Sequence, residues 1–265
     1  MLLRLGAGTT ALASGLISLV FIWGYYFFTG RVDSWPLQGV AWFVGVGILG
    51  GVGNRYLNFF SMKELGLART SIILQTSIIW STGLAITLLG ERLNLAIGAG
   101  TAAIMIGSIL LVQKRESDLK KIPIAYYLVP VAAAFLQGFS HLLRKYGYAW
   151  IDSAPIGMII SSTVSVMTMM IIMPFTNEGM PKFWGGRPLL IIGLGSLFNS
   201  LAALFFWTAA QRGDLVQLVP ITRISVLLMI FTSWLFFRKQ EGITAQVVYG
   251  GLLSVAGVSL IVWGK

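Results

Sequence analysis

The chain has 265 residues, of which 56% are hydrophobic and 11% charged, with a formal net charge of +10. Soluble domains carry about 25% charged residues, so too little polar side chain is present to cover a water-facing surface, and a soluble globular protein is a poor fit. The 19 Lys and Arg are scattered between apolar runs with no basic face or arm, which argues against a nucleic-acid partner, and the absence of Cys excludes disulfides, Cys-bound zinc and thiol catalysis.

A membrane helix needs about 20 mostly apolar residues, and about nine such runs follow one another. Span A (6–29) is too long for a signal peptide and ends in bulky Trp23-Gly24-Tyr25-Tyr26-Phe27-Phe28, with no small-residue cleavage site after it. Span B (37–60) carries Gly47, Gly51, Asn54, Arg55 and Asn58 at helical spacing. Its glycine end suits close helix packing, and its polar end suits either a cavity or the headgroups. Span C (67–89) sets Gln75, Thr76, Trp80 and Gly83 along one helical face, with Ser77 and Ser81 beside it. A Trp near a span centre, beside amides and hydroxyls, suits the wall of a binding pocket as well as plain packing.

Span D (95–113) leads into the most charged connection, Gln113 to Lys121, the natural boundary between two halves. Span E (122–143) ends beside His141, the only His, and Arg144-Lys145, all expected near the interface. Span F (154–175) and span G (188–210) follow, the latter with a polar patch of Ser196, Asn199 and Ser200 that could bind substrate or bridge helices. Span H (215–237) holds Arg223 about nine residues in, roughly 13 Å of helix rise, three residues after Pro220. A cation there costs about 2.5–3.5 kcal/mol on insertion scales, so it is expected to face a cavity and bind an anionic group. Span I (245–263) closes the chain. Trp35, Trp150, Trp184 and Trp263 lie near span ends, where an aromatic belt belongs. A β-barrel would show shorter alternating segments; the pattern predicts an all-α integral membrane fold.

An internal repeat is the most informative signal. Glu91, Gly100 and Gly107 recur as Glu241, Gly250 and Gly257, a shift of 150; Gly45-Val46-Gly47 recurs as Gly193-Leu194-Gly195, and Gly66 as Gly213. Spans B, C and D therefore correspond to G, H and I, five crossings apart. An odd number of crossings inverts the second copy, the inverted-topology arrangement of secondary transporters. The predicted repeats are residues 1–118, with four helices, and 119–265, with five.

The ending Leu88-Leu89-Gly90-Glu91-Arg92-Leu93, followed by Ile97-Gly98-Ala99 and Gly107, resembles the EamA domain of the drug/metabolite transporter superfamily. The second half matches more loosely, with Phe237-Arg238-Lys239-Gln240-Glu241 in place of the Leu-Gly-Glu pattern. The family usually has ten helices; this chain starts at what would be the second, either as a nine-helix form or because its start was assigned too late. The resemblance implies a transporter of small metabolites in the cell (inner) membrane.

All nine carboxylates fall in loops or at span ends, so proton coupling through a midplane acid is not expected. Glu91 and Glu241 are expected to cap the next helix, with Asn94 or Thr244 nearby. One His and no Cys argue against a membrane enzyme and leave no metal site or cofactor to propose. The expected function is transport of a small polar or amphipathic solute by alternating access, with lipid-linked substrate flipping as the alternative. The expected binding residues are Arg223, Trp80, Gln75, Asn54, Arg55 and Asn199. The expected partners are that solute and the bilayer, with a homodimer as an option. Counting Lys and Arg in connections favours an N-terminus inside, eleven against six, whereas the resemblance implies the reverse.

Overall fold

The computed structural model describes residues 7–29, 34–65, 67–112, 123–175, 187–222 and 245–263, and all regular structure among them is helical. Span A is α1 (Ala7–Thr29). Span B is one continuous rod: α2 (Leu37–Gly45), a π-helical stretch over Val46–Gly53, then α3 (Asn54–Leu65). Span C is split into α4 (Leu67–Leu74) and α5 (Ser77–Leu89). Spans D and E are α6 (Leu95–Val112) and α7 (Ala125–Tyr148). Span F is α8 (Ala154–Ile172), which tightens into a 3-10 turn over Met173–Phe175. Span G is α9 (Arg187–Arg212), span H opens with α10 (Leu215–Ile221), and span I is α11 (Ala245–Trp263). Among the described residues, five helical stretches are long and apolar enough to cross a bilayer, and three shorter apolar helices accompany them. The chain is an all-α membrane protein. Trp184 and the 113–121 connection lie outside the described residues.

The helices group into two units, Met1–Tyr56 with Leu143–Arg212, and Leu57–Leu142 with Gly213–Lys265. Each unit draws on both sequence halves.

In the first unit, span B lies on α8 through its glycines. A Cβ on Gly39 would come within 2.5 Å of the Ile151 side chain, one on Gly47 within 2.6 Å of the Ser161 carbonyl oxygen, and one on Gly51 within 2.7 Å of Ser165 Cβ. The close approach expected of Gly47 and Gly51 is therefore made against span F. Residue numbers rise together along this contact, so spans B and F run parallel. Parallel neighbours must be an even number of crossings apart, as spans two and six are. Leu12 of α1 packs with Val166 and Met173 at the other end of α8.

In the second unit, α6 and α11 touch backbone to backbone. A Cβ on Gly100 would lie 2.5 Å from the Gly257 carbonyl oxygen, and one on Gly107 2.6 Å from that of Gly250. Rising numbers on one helix meet falling numbers on the other, so the two run antiparallel, as inverted repeat mates must. The contact is also reciprocal. Under the 150-residue shift Gly100 becomes Gly250 and Gly107 becomes Gly257, so each contact maps onto the other, the pattern of a two-fold interface.

Gly257→Ala is expected to lower stability by about 1–3 kcal/mol, the usual cost of overpacking, because the facing atom is backbone and cannot swing aside. Gly83, with nothing within 4 Å of its missing Cβ, is the control: Gly83→Ala should be neutral or slightly stabilising. Thermal unfolding of the two purified variants in detergent checks the contrast.

Candidate functional site

Span C is interrupted, and α10, which opens span H, ends close to the matching place in the second repeat. Helix α4 stops at Leu74, and Gln75 and Thr76 form a turn before α5. Helix α10 stops at Ile221, and Thr222 forms the turn. Counted from the paired glycines 66 and 213, Thr76 is ten residues on and Thr222 nine. Their backbones nearly coincide, at φ −61°, ψ −13° and φ −62°, ψ −18°. Each hydroxyl folds back on the carbonyl three residues earlier: Thr76 donates to Ile73 at 2.6 Å, Thr222 to Val219 at 2.7 Å. Local hydroxyl bonds of this kind compete with the helix ladder, and Pro220 withholds a further donor from α10.

Polar atoms at the break in span C are left unfilled. Gln75 is only 5% exposed, and its Oε1 has no hydrogen-bond partner. The same holds for the buried hydroxyls of Thr70 and Ser81 and for that of Thr82. Other helix hydroxyls satisfy themselves, Ser140 on Leu136, Ser161 on Gly157, Ser254 on Gly250, while the hydroxyls of Thr101 of α6 and Thr163 of α8 are also buried without a partner. Span C gathers four such polar atoms around its break, in a setting where unpaired polar groups are costly.

The expected single face of Gln75, Trp80 and Gly83 is not present. The helix breaks between Gln75 and Ser77, so 3.6-residue spacing does not carry across. Beyond the break Ser77, Ile78, Ser81 and Ala85 are buried, whereas Trp80 and Gly83 lie on the open side. Trp80 is 39% exposed and packs edge-on to Phe135 of α7 at 5.3 Å, next to Gly138, where a Cβ would come within 2.9 Å of Trp80 Cβ.

Asn54 and Arg55 open α3, directly after the π-helical stretch, and Asn54 Oδ1 is buried without a partner. Asn199 is exposed on α9; the bridging in its patch is done by hydroxyls, with Ser200 Oγ 2.7 Å from Ser18 Oγ of α1. Gln75 and Trp80 belong to the second unit, Asn54, Arg55 and Asn199 to the first. Arg223 and Glu241 lie outside the described residues; Arg223 follows Thr222 directly in sequence.

Arg144 was read as a loop charge, and the structure corrects this. Helix α7 continues to Tyr148, and Arg144 is 7% exposed. Its guanidinium lies 4.0 Å from the Trp207 ring centroid and 5.1 Å from that of Phe206. Tyr148, one turn on, donates to the Trp207 carbonyl at 2.9 Å. His141, also expected at the interface, is buried. The available signal was that apolar residues continue past Lys145 through Tyr146, Gly147 and Tyr148.

Two helix starts are closed by distant side chains. Ser153 and Asp214 hold the N-cap positions of α8 and α10, yet neither side chain caps. Gln211 of α9 takes the first role: its Oε1 accepts from the Ala154 N–H at 3.2 Å, while Nε2 donates to Asp152 Oδ1 at 2.6 Å. Glu91 takes the second, its two oxygens accepting from the Leu215 and Val216 N–H groups at 3.1 and 2.8 Å. Glu91 therefore caps α10 and not the next helix; Asn94 alone caps α6, its Oδ1 accepting from Ile97 at 2.8 Å.

Comparison with known proteins agrees with the Leu-Gly-Glu ending. Residues 2–113 match the EamA-like transporter family. The matched EamA-like region includes Gly90 and Glu91. Gly90 is the left-handed residue, φ 68°, that ends α5 and turns Glu91 toward α10. The chain is 22% identical to the "Uncharacterized transporter YoaV" of Bacillus subtilis (strain 168), over 92% of this chain and 94% of that protein. A solved crystal structure at 14% identity has a TM-score of 0.81, covering 99% of this chain and 90% of that one. At this identity it establishes the shared fold.

Replacing the aromatic plate under Arg144 is expected to be costly. Trp207→Leu should destabilise by about 2 kcal/mol or more, the scale of a desolvated cation–π contact, and Arg144→Lys should lose part of the same term because its ammonium cannot stack. Thermal melts of both variants check the order.

Proposed function

We propose that the protein is a secondary transporter that moves a small polar or amphipathic solute, amino-acid-like in class, across the cell's inner membrane. Its two inverted repeats would alternate access to a site at the break in span C and the end of α10. The observation that carries this reading is the interruption of span C at Gln75–Thr76, with the turn at Thr222 that ends α10 close to the matching repeat position. Transporters of this design build midplane sites from discontinuous helices, because the unwound backbone there needs polar partners that lipid cannot supply. Unfilled Gln75 Oε1 and the Thr70 and Ser81 hydroxyls offer such partners. The transporter family match and the full-length similarity to a named transporter support the class. Arg223, next to the Thr222 turn in sequence, is the proposed anchor for a carboxylate.

Purified protein in liposomes, given a radiolabelled amino-acid panel, tests the reading. Saturable uptake of one class is the expected result. Arg223→Ala should abolish that flux with expression nearly intact, and Gln75→Ala should raise KM several-fold. No flux of any soluble solute, together with transbilayer movement of a lipid-linked sugar, would replace it with a flippase.

A further inference from the structure

The clamp at the start of α10 connects two features that the transport reading keeps separate. Glu91 belongs to the first repeat, just after α5; Leu215 and Val216 belong to the second, at the start of span H. The link is 124 and 125 residues long in sequence. Both carboxylate oxygens are engaged, and charge-assisted bonds to first-turn amides are among the stronger ones available. A local cap was within reach: Asp214 stands at the N-cap with extended backbone, φ −79°, ψ 138°, yet it makes no capping bond. Helix α10 is only seven residues long and too short to be stable by itself. Its position is therefore set by what holds it. Leu215, Val216 and Val219 are buried, and α10 packs on α5 and α6. The other end of this short rod is the turn at Thr222.

We infer that Glu91 is a positioning residue for transport: by gripping the first turn of α10 it makes that helix move with α5, and so sets where the Thr222 turn stands. This rests on the transport reading for its consequence, but the mechanical claim is separate from it. Gly90 is part of the device, since its left-handed backbone aims Glu91 at α10. Position 240, the repeat mate of Gly90, is Gln in this chain, so the second repeat lacks the same turn residue.

The chain has no Cys, so a single introduced thiol reports without background. In full-length protein in liposomes, Thr222→Cys is labelled with N-ethylmaleimide, with and without Glu91→Gln. Gln retains one acceptor oxygen but sets an NH2 donor against the second backbone N–H. The expected result is at least a five-fold faster labelling with Glu91→Gln. Fragment-resolved hydrogen exchange should show the Leu215 and Val216 amides protected in the native protein and exchanging at least ten-fold faster in the variant. Exchange in α6 and α11 should be unchanged. On any solute the panel identifies, Glu91→Gln should lower the maximal rate with KM nearly unchanged.

Faster exchange at 215 and 216 with unchanged thiol labelling would reduce Glu91 to a local cap and overturn the inference. Should Glu91→Gln fail to fold, native exchange at those two amides as fast as at a free helix end would overturn it without a variant. A panel without flux would sink the transport reading while the labelling result still judged the clamp.

Discussion

A helix surrounded by lipid gains nothing from burying a leucine against another helix, since hydrocarbon is as apolar as the leucine. Cohesion has to come from backbones that touch and from polar groups that reach across. The α6–α11 contact is the plainest case. Gly100, Gly107, Gly250 and Gly257 remove side chains where the two rods cross, and the carbonyls of one face the Cα atoms of the other. Span B meets α8 by the same means, and there its glycines coincide with π-helical winding over Val46–Gly53. A π-turn is energetically poor in isolation and recurs at functional sites; here it delivers Asn54 and Arg55 at its end.

Closing helix ends is the second demand of this environment. Each helix start leaves amides without partners that side chains or water must fill. Where soluble proteins often use the adjacent Ser or Asp, α8 and α10 use Gln211 and Glu91. A local cap stabilises one helix. A distant cap also ties the helix to another span, so that end closure and tertiary packing become one interaction. The turns at Thr76 and Thr222 use the local alternative, folding hydroxyls onto carbonyls, and so break span C and end α10.

Arg144 illustrates how a cation is held inside such a bundle. Its guanidinium is delocalised and weakly hydrated, so the faces of Trp207 and Phe206 replace part of the lost solvent. Tyr148 fixes the Trp207 backbone from the same helix. A lysine at this position would present a compact, strongly hydrated charge to the same rings and fit less well.

What the sequence determined by itself was whatever the bilayer imposes on composition: apolar runs of the required length, the 150-residue recurrence of glycine and glutamate, and through crossing parity the inverted second half. These are legible because lipid thickness and hydrophobicity act on each segment separately. The structure decided everything that depends on partners. Gly100 and Gly250 were readable as repeat mates, but not that each packs against the mate of the next glycine. The Gln75–Trp80 face failed because helical spacing presumes an unbroken helix, and the break at Thr76 arises from a hydroxyl bond that competes with the helix ladder. Arg144 was misread because one extra turn of α7 separates a loop charge from a buried one. Glu91 was recognisable as a capping residue; the helix it caps begins 124 residues away, and only folding brings the two together.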